Sequence, residues 1–145
     1  MAIRISARPK KIAVGKNKGK KVYKLTPDFN NRLSTDAVCS RAAKKTGISK
    51  YLMQSCFRAI ADELRMYLPL GNSIKLEGLG TFRLSMRAKT VEDLNDVSVD
   101  NIDKLGIVFT PDKEILESLS DEPLRITCYD EKGKVVRRVG KKEDE

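Results

Sequence analysis

The chain of 145 residues has no histidine, no tryptophan and only three cysteines. Histidine is the commonest general base and a frequent metal ligand, so its absence removes the usual route to catalysis and metal binding. Cys39, Cys56 and Cys128 are odd in number and lack a C-x-x-C spacing, which fits neither a disulfide framework nor a zinc site. We interpret them as small buried hydrophobic residues. No group of carboxylates or lysines suggests a hydrolase, and the sequence therefore predicts no enzyme, no catalytic or metal site and no cofactor.

Long apolar runs are missing as well. No stretch approaches the roughly 18 residues of a membrane span. The opening residues, Met-Ala-Ile-Arg-Ile-Ser, lack the apolar core of a signal peptide, so we expect a cytoplasmic protein. The length suits one domain, or one domain with an appended element.

Charge, in contrast, is abundant and unevenly placed. The net charge is +9 and the isoelectric point about 9.5, which favours nucleic acid, an acidic protein or an anionic membrane as partner. Residues 1–33 carry ten lysines or arginines and one acid, whereas residues 91–125 carry three bases and ten acids. Segregation of this kind gives the surface field a direction that diffuse charge does not have.

A lysine-rich loop lies between two strands predicted near the N-terminus. Residues 3–8 alternate as a strand does, and residues 22–25 are placed to return beside them. The sequence between them reads K-K-I-A-V-G-K-N-K-G-K-K, and we expect it to stay mobile until an anion binds, because its lysines repel one another. It is not a P-loop, since Lys21 stands where that motif needs a hydroxyl. We favour phosphate contacts over a solubilising role for its six lysines: Lys10, Lys11, Lys16, Lys18, Lys20 and Lys21.

Two helices are predicted next. Ser34 and Ser49 are suitable N-caps, and Gly47 suits the position just after the first helix. The second helix ends at Pro69-Leu-Gly-Asn and carries an apolar stripe with spacings of three and four. This stripe is broader than one short helix covers, which predicts that a second subunit completes the core. Its residues are Met53, Cys56, Phe57, Ile60, Ala61, Leu64, Tyr67 and Leu68.

The stretch from Ile74 to Lys89 predicts a β-hairpin. Apolar residues alternate with polar ones on both sides of Gly78 and Gly80, two glycines that suit a tight turn. A hairpin with an apolar underside and a basic outgoing end presents cations to a polyanion. The candidate contacts are Lys75, Arg83, Arg87 and Lys89.

The elements that follow are shorter. Ser98 is predicted to cap a helix, and residues 107–109 read as a short buried strand. Pro111 is predicted at the first position of a third helix, where the missing N–H of proline costs nothing. Residues 124–129 and 134–139 predict a closing hairpin around Asp130-Glu-Lys-Gly, and residues 140–145 a disordered tail. The apolar side of the helix that Ser98 begins comprises Val99, Ile102 and Leu105.

Four motifs in this order resemble the bacterial histone-like family that contains HU and integration host factor: A-A-K-K-T-G-I-S-K, G-L-G-T-F, R-A-K and V-F-T-P-D-K. The resemblance covers roughly residues 34–119. It implies an α+β fold of helix, helix, β-hairpin and helix in an intertwined dimer, here with an extra N-terminal strand pair and a C-terminal hairpin. We therefore divide the chain into a basic extension (1–33), a histone-like domain (34–119) with its arm at 88–108, and a C-terminal hairpin with its tail (120–145).

The resemblance also implies roles for single residues. Arg87 and Lys89 match the basic start of the arm. Lys113 matches the lysine after the F-x-P signature, beside a helix N-terminus that itself attracts phosphate. Core and dimer positions are assigned to five apolar residues: Phe57, Ile60, Leu64, Phe82 and Phe109.

The arm departs from the family pattern, in which it is basic and carries a proline at its tip. Residues 91–103 contain five acids and no base, and no proline lies between Pro69 and Pro111. Because acids are repelled by phosphates, we do not expect deep minor-groove insertion or sharp bending. The lysines of the N-terminal loop are expected to replace the lost arm charge.

The resemblance thus implies a nucleoid-associated protein that binds double-stranded DNA with little sequence preference. It implies a homodimer, or a heterodimer with a paralogue, and neither a membrane nor a small-molecule partner. One alternative is a histone-like interaction module whose acidic arm docks a basic protein. Another is RNA binding, because phosphate attraction does not discriminate, although four tyrosines and no tryptophan give little sign of a base-stacking platform.

Overall fold

The computed structural model describes residues 2–140, which form two compact units. One unit is Arg32–Leu116, and the other combines the residues up to Asn31 with those from Glu117 onward. Of the predicted tail, residues 141–145 lie outside the described residues, and Gly140 ends a strand. The elements in chain order are β1 (Ile3–Lys11), β2 (Lys21–Pro27), α1 (Thr35–Thr46), α2 (Lys50–Tyr67), β3 (Ile74–Leu76), β4 (Gly80–Ala88), β5 (Ile102–Pro111), α3 (Lys113–Ser120), β6 (Leu124–Tyr129) and β7 (Val135–Gly140).

The first two helices begin and end where the sequence predicts. The Ser34 hydroxyl accepts a hydrogen bond from the backbone N–H of Ala37, and the Ser49 hydroxyl accepts one from Leu52, both at 3.2 Å. Gly47 ends α1 in the left-handed conformation with φ 72°, and its N–H donates to the carbonyl of Ala43. These caps satisfy backbone groups that a helix end leaves unpaired. The predicted helix pair is confirmed.

The three strands that directly follow α2 form an antiparallel sheet in the order β3-β4-β5. The region predicted as the arm, residues 88–108, covers the end of β4, the connecting loop and most of β5. Its tip contains two short 3₁₀ turns, Leu94–Asp96 and Val99–Asn101. The prediction of an α-helix starting at Ser98 is wrong, because Ser98 caps only the second of these turns and Ile102 already pairs with Ala88 in the sheet.

Two further details of β5 differ from prediction. The strand is ten residues long, and it is not buried in the single chain, since Ile107 is 61% and Phe109 is 44% exposed. Pro111 is the last residue of β5, where it pairs with Gly80, so it is not the first residue of a helix. The carbonyl of Asp112 accepts the first hydrogen bonds of α3, from the N–H groups of Ile115 and Leu116.

The two ends of the described chain join in a second sheet, of order β2-β1-β6-β7. The predicted hairpins are both present: β1 pairs with β2 and β6 with β7, each antiparallel. Sequence patterns gave no indication that β1 and β6 also pair, in parallel, with Ile5 opposite Ile126. The N-terminal strand pair and the C-terminal hairpin are therefore one layer of structure.

Few side chains are buried within the single chain. Buried hydrophobic residues among the described residues are limited to Ala7, Cys39, Ala43 and Leu68, and α2 buries none of its 18 residues. The prediction that all three cysteines are buried is wrong for Cys56, which is exposed, whereas Cys128 is half-buried. No helix in residues 2–140 is long and apolar enough to cross a membrane.

Candidate nucleic-acid interface

One face of the β3-β4-β5 sheet gathers exposed cations. Side chains alternate between the faces of a sheet, and residues opposite one another in register share a face. Arg83 and Arg87 on β4 therefore lie on one face, where Lys104 is the register partner of Arg87 and Lys75 that of Thr81. All four are exposed. We call this surface, formed by Lys75, Arg83, Arg87 and Lys104, the cationic hairpin face.

The opposite face of the same sheet is apolar, and its apolar residues determine on which side of the sheet the cations lie. Phe82 pairs with Phe109, with ring centroids 4.8 Å apart, and Leu84 and Met86 continue the same row. A slip of one residue in this register would exchange the two faces, so the apolar row fixes which way the cations point. The alternation seen in the sequence is therefore the local cause of the cationic hairpin face.

The β3–β4 turn is hydrogen-bonded to Asp112, the residue just before α3. The backbone N–H of Gly78 donates to the Asp112 carboxylate at 2.9 Å, and the N–H of Asp112 donates to the carbonyl of Leu79 at 2.9 Å. A Cβ at Gly80 would collide with the carbonyl oxygen of Thr110 and lie 2.9 Å from Cα of Pro111. Close packing of this turn thus requires glycine at position 80 and keeps β4 in register with β5.

The cations of the cationic hairpin face are close enough for one polyanion to contact several of them. Arg83 and Arg87 are four residues apart on one strand, about 13–14 Å at roughly 3.4 Å per residue, and Lys104 lies on the next strand, about 5 Å away. Like charges directly opposite destabilise a sheet pair. An anion placed over Arg87 and Lys104 would relieve that repulsion.

The structure does not bring Lys89 onto this face. Its backbone N–H donates to the carbonyl of Asn101 at 2.8 Å, and its ammonium lies 3.9 Å from the Asp103 carboxylate. Lys89 therefore belongs to the acidic arm tip, which we define as residues 89–101. Within the tip, Asp93 accepts a hydrogen bond from the N–H of Asn95, so the acids also order the turns they occupy.

Lys113 is the first residue of α3, next to Asp112. Lys113 therefore directly follows the residue whose carboxylate accepts a hydrogen bond from Gly78 in the β3–β4 turn. The position agrees with a phosphate contact near a helix start, although α3 has only eight residues. Its part in binding stays a prediction.

The lysines of the N-terminal loop lie in the other unit and do not form one cluster. Lys10 and Lys11 end β1 and point to opposite faces of their sheet, while Lys21 begins β2 opposite Lys11. The Lys21 ammonium lies 2.9 Å from the Glu131 carboxylate; the hydrogen bond raises the pKa of Lys21 and lowers the pKa of Glu131. The loop itself carries three further exposed cations, Lys16, Lys18 and Lys20.

The loop has a defined backbone. The N–H of Ile12 donates to Lys20 and that of Gly19 returns to Ile12, while Lys18 and Lys20 bond to the carbonyls of Gly15 and Asn17. The loop is a closed turn that presents lysines at the end of a hairpin. That it stays mobile until an anion binds remains a prediction.

The residues predicted for core and dimer positions are only half covered. Phe57 and Ile60 are 52% and 45% exposed. Leu64 and Phe82 line an open apolar cavity of about 620 Å³ between α2 and the sheet, together with Ala61, Arg65, Leu68, Pro69, Leu84, Leu105 and Ile107. An open apolar cavity beside a helix that buries none of its residues can accommodate apolar side chains from outside this chain.

Sequence reasoning missed Lys104, which the structure places beside Arg87. The residue stands in an acidic stretch whose apolar spacing indicates a helix, and that assignment gives its charge no place on the hairpin. The available signal was the period-two spacing of Leu105, Ile107 and Phe109, which puts these three residues on the face of the strand opposite Lys104.

A family model described as HU-HIG, HU domain fused to wHTH, Ig, or Glycine-rich motif, matches residues 1–125. Among solved structures, a candidate DNA-binding protein from Bacteroides vulgatus ATCC 8482 has a TM-score of 0.57 at 17% sequence identity, over 89% of this chain and 49% of that one. The chain thus spans about half the length of that protein. A point mutant of HU from Thermotoga maritima has a TM-score of 0.45 at 20% identity, over 60% of this chain and 99% of that one. No curated protein sequence matches the chain significantly.

Proposed function

We propose that this chain, which belongs to the family of HU domains fused to a wHTH, Ig or glycine-rich motif, binds double-stranded DNA with little sequence preference. The observation that supports this most is the cationic hairpin face: Lys75, Arg83, Arg87 and Lys104 on one side of a sheet whose other side is apolar. Cations fixed by a strand register contact phosphates, which carry no sequence information. A protein of this kind is nucleoid-associated.

The proposal includes a dimer. The apolar stripe of α2 and the open cavity beside Phe82 leave several large side chains half exposed in one chain. Fully burying a large apolar side chain is worth roughly 1.5–3 kcal/mol, so each half-exposed side chain forgoes about half of that. A second copy that brings the same stripe covers both, since a twofold interface is self-complementary. Two copies also place two cationic hairpin faces in one particle.

The experiment is a salt titration of binding to two labelled duplexes of unrelated sequence, followed by fluorescence anisotropy. If the two cationic hairpin faces of a dimer neutralise about six phosphates, they contribute a slope of log K against log salt near −5, by the rule of about 0.9 per phosphate. The two duplexes should bind equally. A preference above about a hundredfold, or a slope near zero, contradicts nonspecific phosphate binding. An A-form RNA duplex of the same length tests the RNA alternative, which predicts binding at least as tight as to DNA.

Charge-removing substitutions in the N-terminal loop and in the acidic arm tip should change the affinity for DNA in opposite directions. Replacing Lys16, Lys18 and Lys20 with Gln weakens DNA binding if the loop contacts phosphates. Replacing acids of the tip with their amides tightens binding if the tip lies within about a Debye length, roughly 10 Å, of the backbone. The tip variant is Glu92→Gln, Asp93→Asn and Asp96→Asn, and unchanged affinity in both variants removes loop and tip from the interface.

A second candidate function is protein capture by the arm tip. Leu94 and Val99 are 85% and 81% exposed there, among acids that repel DNA. Exposed apolar residues ringed by acids suit a partner with an apolar groove and basic rim. Here Leu94→Ser with Val99→Ser abolishes co-purification of a protein partner and leaves duplex affinity unchanged. Loss of duplex affinity in that variant instead assigns the tip to the DNA interface.

A further inference from the structure

The β2-β1-β6-β7 sheet has two chemically different faces. In register, Ile5 pairs with Ile126 and Ala7 with Cys128, which puts the apolar residues of the two central strands on one side. Arg4, by contrast, pairs with Arg125. Because the side-chain period is two in every strand, the arginines lie on the other side of the sheet.

All four strands contribute a cation to that second face. Arg4 and Arg8 come from β1, and Lys24 on β2 is the register partner of Arg8. Arg125 comes from β6, and Arg138 on β7 is the register partner of Thr127, which shares the face. We call this surface the arginine face. Its cations are exposed, and no residue of these four strands is acidic.

Two like-charged pairs are built into the register of this face. Arg4 faces Arg125, and Arg8 faces Lys24. Directly opposite like charges destabilise a sheet. An external anion placed over either pair would relieve this repulsion, and Asp28, an acid that borders the face, accepts a hydrogen bond from the buried hydroxyl of Ser6.

The face is also shaped to receive anions. The guanidinium carbon of Arg8 lies 4.3 Å from the centre of the Tyr129 ring, a cation–π contact that orients this side chain. A shallow cavity of about 570 Å³ is bordered by Arg4, Arg125 and Arg138, with Thr127, Tyr129 and Asp28. Arginine presents a planar fork of N–H donors that matches phosphate geometry in two hydrogen bonds.

We propose that the arginine face is a second nucleic-acid-binding surface, which takes backbone phosphates independently of the cationic hairpin face. It rests on the proposed function only in taking nucleic acid as the ligand. The cations are spread over four strands, a width of roughly 14 Å at about 4.8 Å per strand spacing. Such a spread suits a polyanion with regularly repeated charges better than one isolated anion. Lys10, on the same face, leads on toward the loop lysines.

A pair of matched variants tests this surface. Lys24→Gln with Arg138→Gln removes two charges from the arginine face without touching the Arg8–Tyr129 contact. Lys132→Gln with Arg137→Gln removes two exposed charges of the same unit that lie outside the arginine face, since Arg137 pairs with Cys128 and Lys132 lies in the β6–β7 turn. Salt titrations use a labelled duplex of about 30 base pairs, its single strand, and polyglutamate of similar length. Thermal melting checks the fold, and Arg4→Gln with Lys24→Gln replaces the first variant if it melts early.

We expect the arginine-face variant to make the slope of log K against log salt shallower by about two, with the control unchanged. Equal slopes for variant and control, together with a slope lowered by Arg83→Gln and Arg87→Gln, overturn this inference and leave the proposed function standing. If only the single strand responds to the arginine-face variant, the inference stands with single-stranded nucleic acid as the ligand of this face, and duplex binding by the cationic hairpin face is unaffected. If only polyglutamate responds, the face binds an acidic protein and the inference is wrong.

Discussion

Arg87 lies directly opposite Lys104 across the antiparallel β4–β5 pair, so that two cations share one cross-strand position on an exposed sheet face. Such a pair weakens the hairpin slightly, and under the proposed function it strengthens the attraction for phosphate. A like-charged pair of the same kind occurs in the other sheet, where Arg4 lies opposite Arg125. Stability and binding therefore make opposite demands on these residues, which gives them a distinctive mutational signature.

Lys104→Gln should reveal that signature. Removing one of two opposed charges should leave the free energy of unfolding unchanged or raise it by a few tenths of a kcal/mol. The same change should make the salt slope of duplex binding shallower by about one per chain. Denaturant unfolding and a salt titration measure the two effects, with Lys45→Gln on α1 as control. A variant that loses stability but keeps its slope shows that Lys104 is structural.

Phe57→Asp should abolish assembly. The side chain is half exposed on a helix that buries none of its residues, and a charge there cannot enter an apolar interface. Sedimentation should find wild-type particles of about twice the 16.3 kDa chain mass, and a monomeric or unfolded Phe57→Asp variant. Val14→Asp, at a position 84% exposed in the N-terminal loop, should still dimerise. A well-folded wild-type monomer at micromolar concentration refutes the dimer.

Lys50→Gln should raise the pKa of Asp36. In the wild type a hydrogen bond from the Lys50 ammonium, at 2.6 Å, holds the pKa of Asp36 below its ordinary value, and Gln54 contributes a second hydrogen bond. A lowered carboxyl pKa means that the contact stabilises the fold above the unfolded pKa, and that this stabilisation is lost as pH falls through the folded pKa. Carboxyl NMR titration should therefore show a higher Asp36 pKa in the variant, with a smaller loss of stability in acid. An unchanged pKa contradicts the assignment.

Gly80→Ala should disrupt the hairpin. The new Cβ would meet backbone atoms of Thr110 and Pro111, neither of which can move without shifting β5. Gly71→Ala is the matched control, because Gly71 also has positive φ but has open space around it. We expect the control to lose about 1–2 kcal/mol from backbone strain alone, and Gly80→Ala to lose at least about 1–3 kcal/mol more from overpacking. Equal losses in denaturant unfolding mean that the turn can relax.

Local patterns predicted most of the fold. Ser34 and Ser49 cap the helices as expected, and the alternation around Gly78 and Gly80 indicates the hairpin and three of its four cations. These features depend on neighbours in sequence. The arm differs from prediction where two periodicities compete: Val99, Ile102 and Leu105 fit a helix by spacing, but Ile102 and Leu105 follow the register of β4.

Long-range pairing was beyond local patterns. The parallel contact of β1 with β6 joins residues more than a hundred positions apart, and it alone gathers Arg4, Arg8, Arg125 and Arg138 on one surface. In the sequence these arginines stand in separate segments, each with a modest charge. The exposure of Phe57 and Cys56 likewise depends on what covers α2, which one chain does not determine.

The most direct test of the central proposal is the salt dependence of duplex binding in Arg83→Gln with Arg87→Gln, compared with Arg58→Gln and Lys45→Gln. Both variants lose two charges from exposed positions of the same unit, but only the first lies on the cationic hairpin face. Phosphate binding by that face predicts a slope shallower by about two per chain in the first variant and a wild-type slope in the second. Identical slopes in the two variants would show that net charge, and not this face, attracts the duplex.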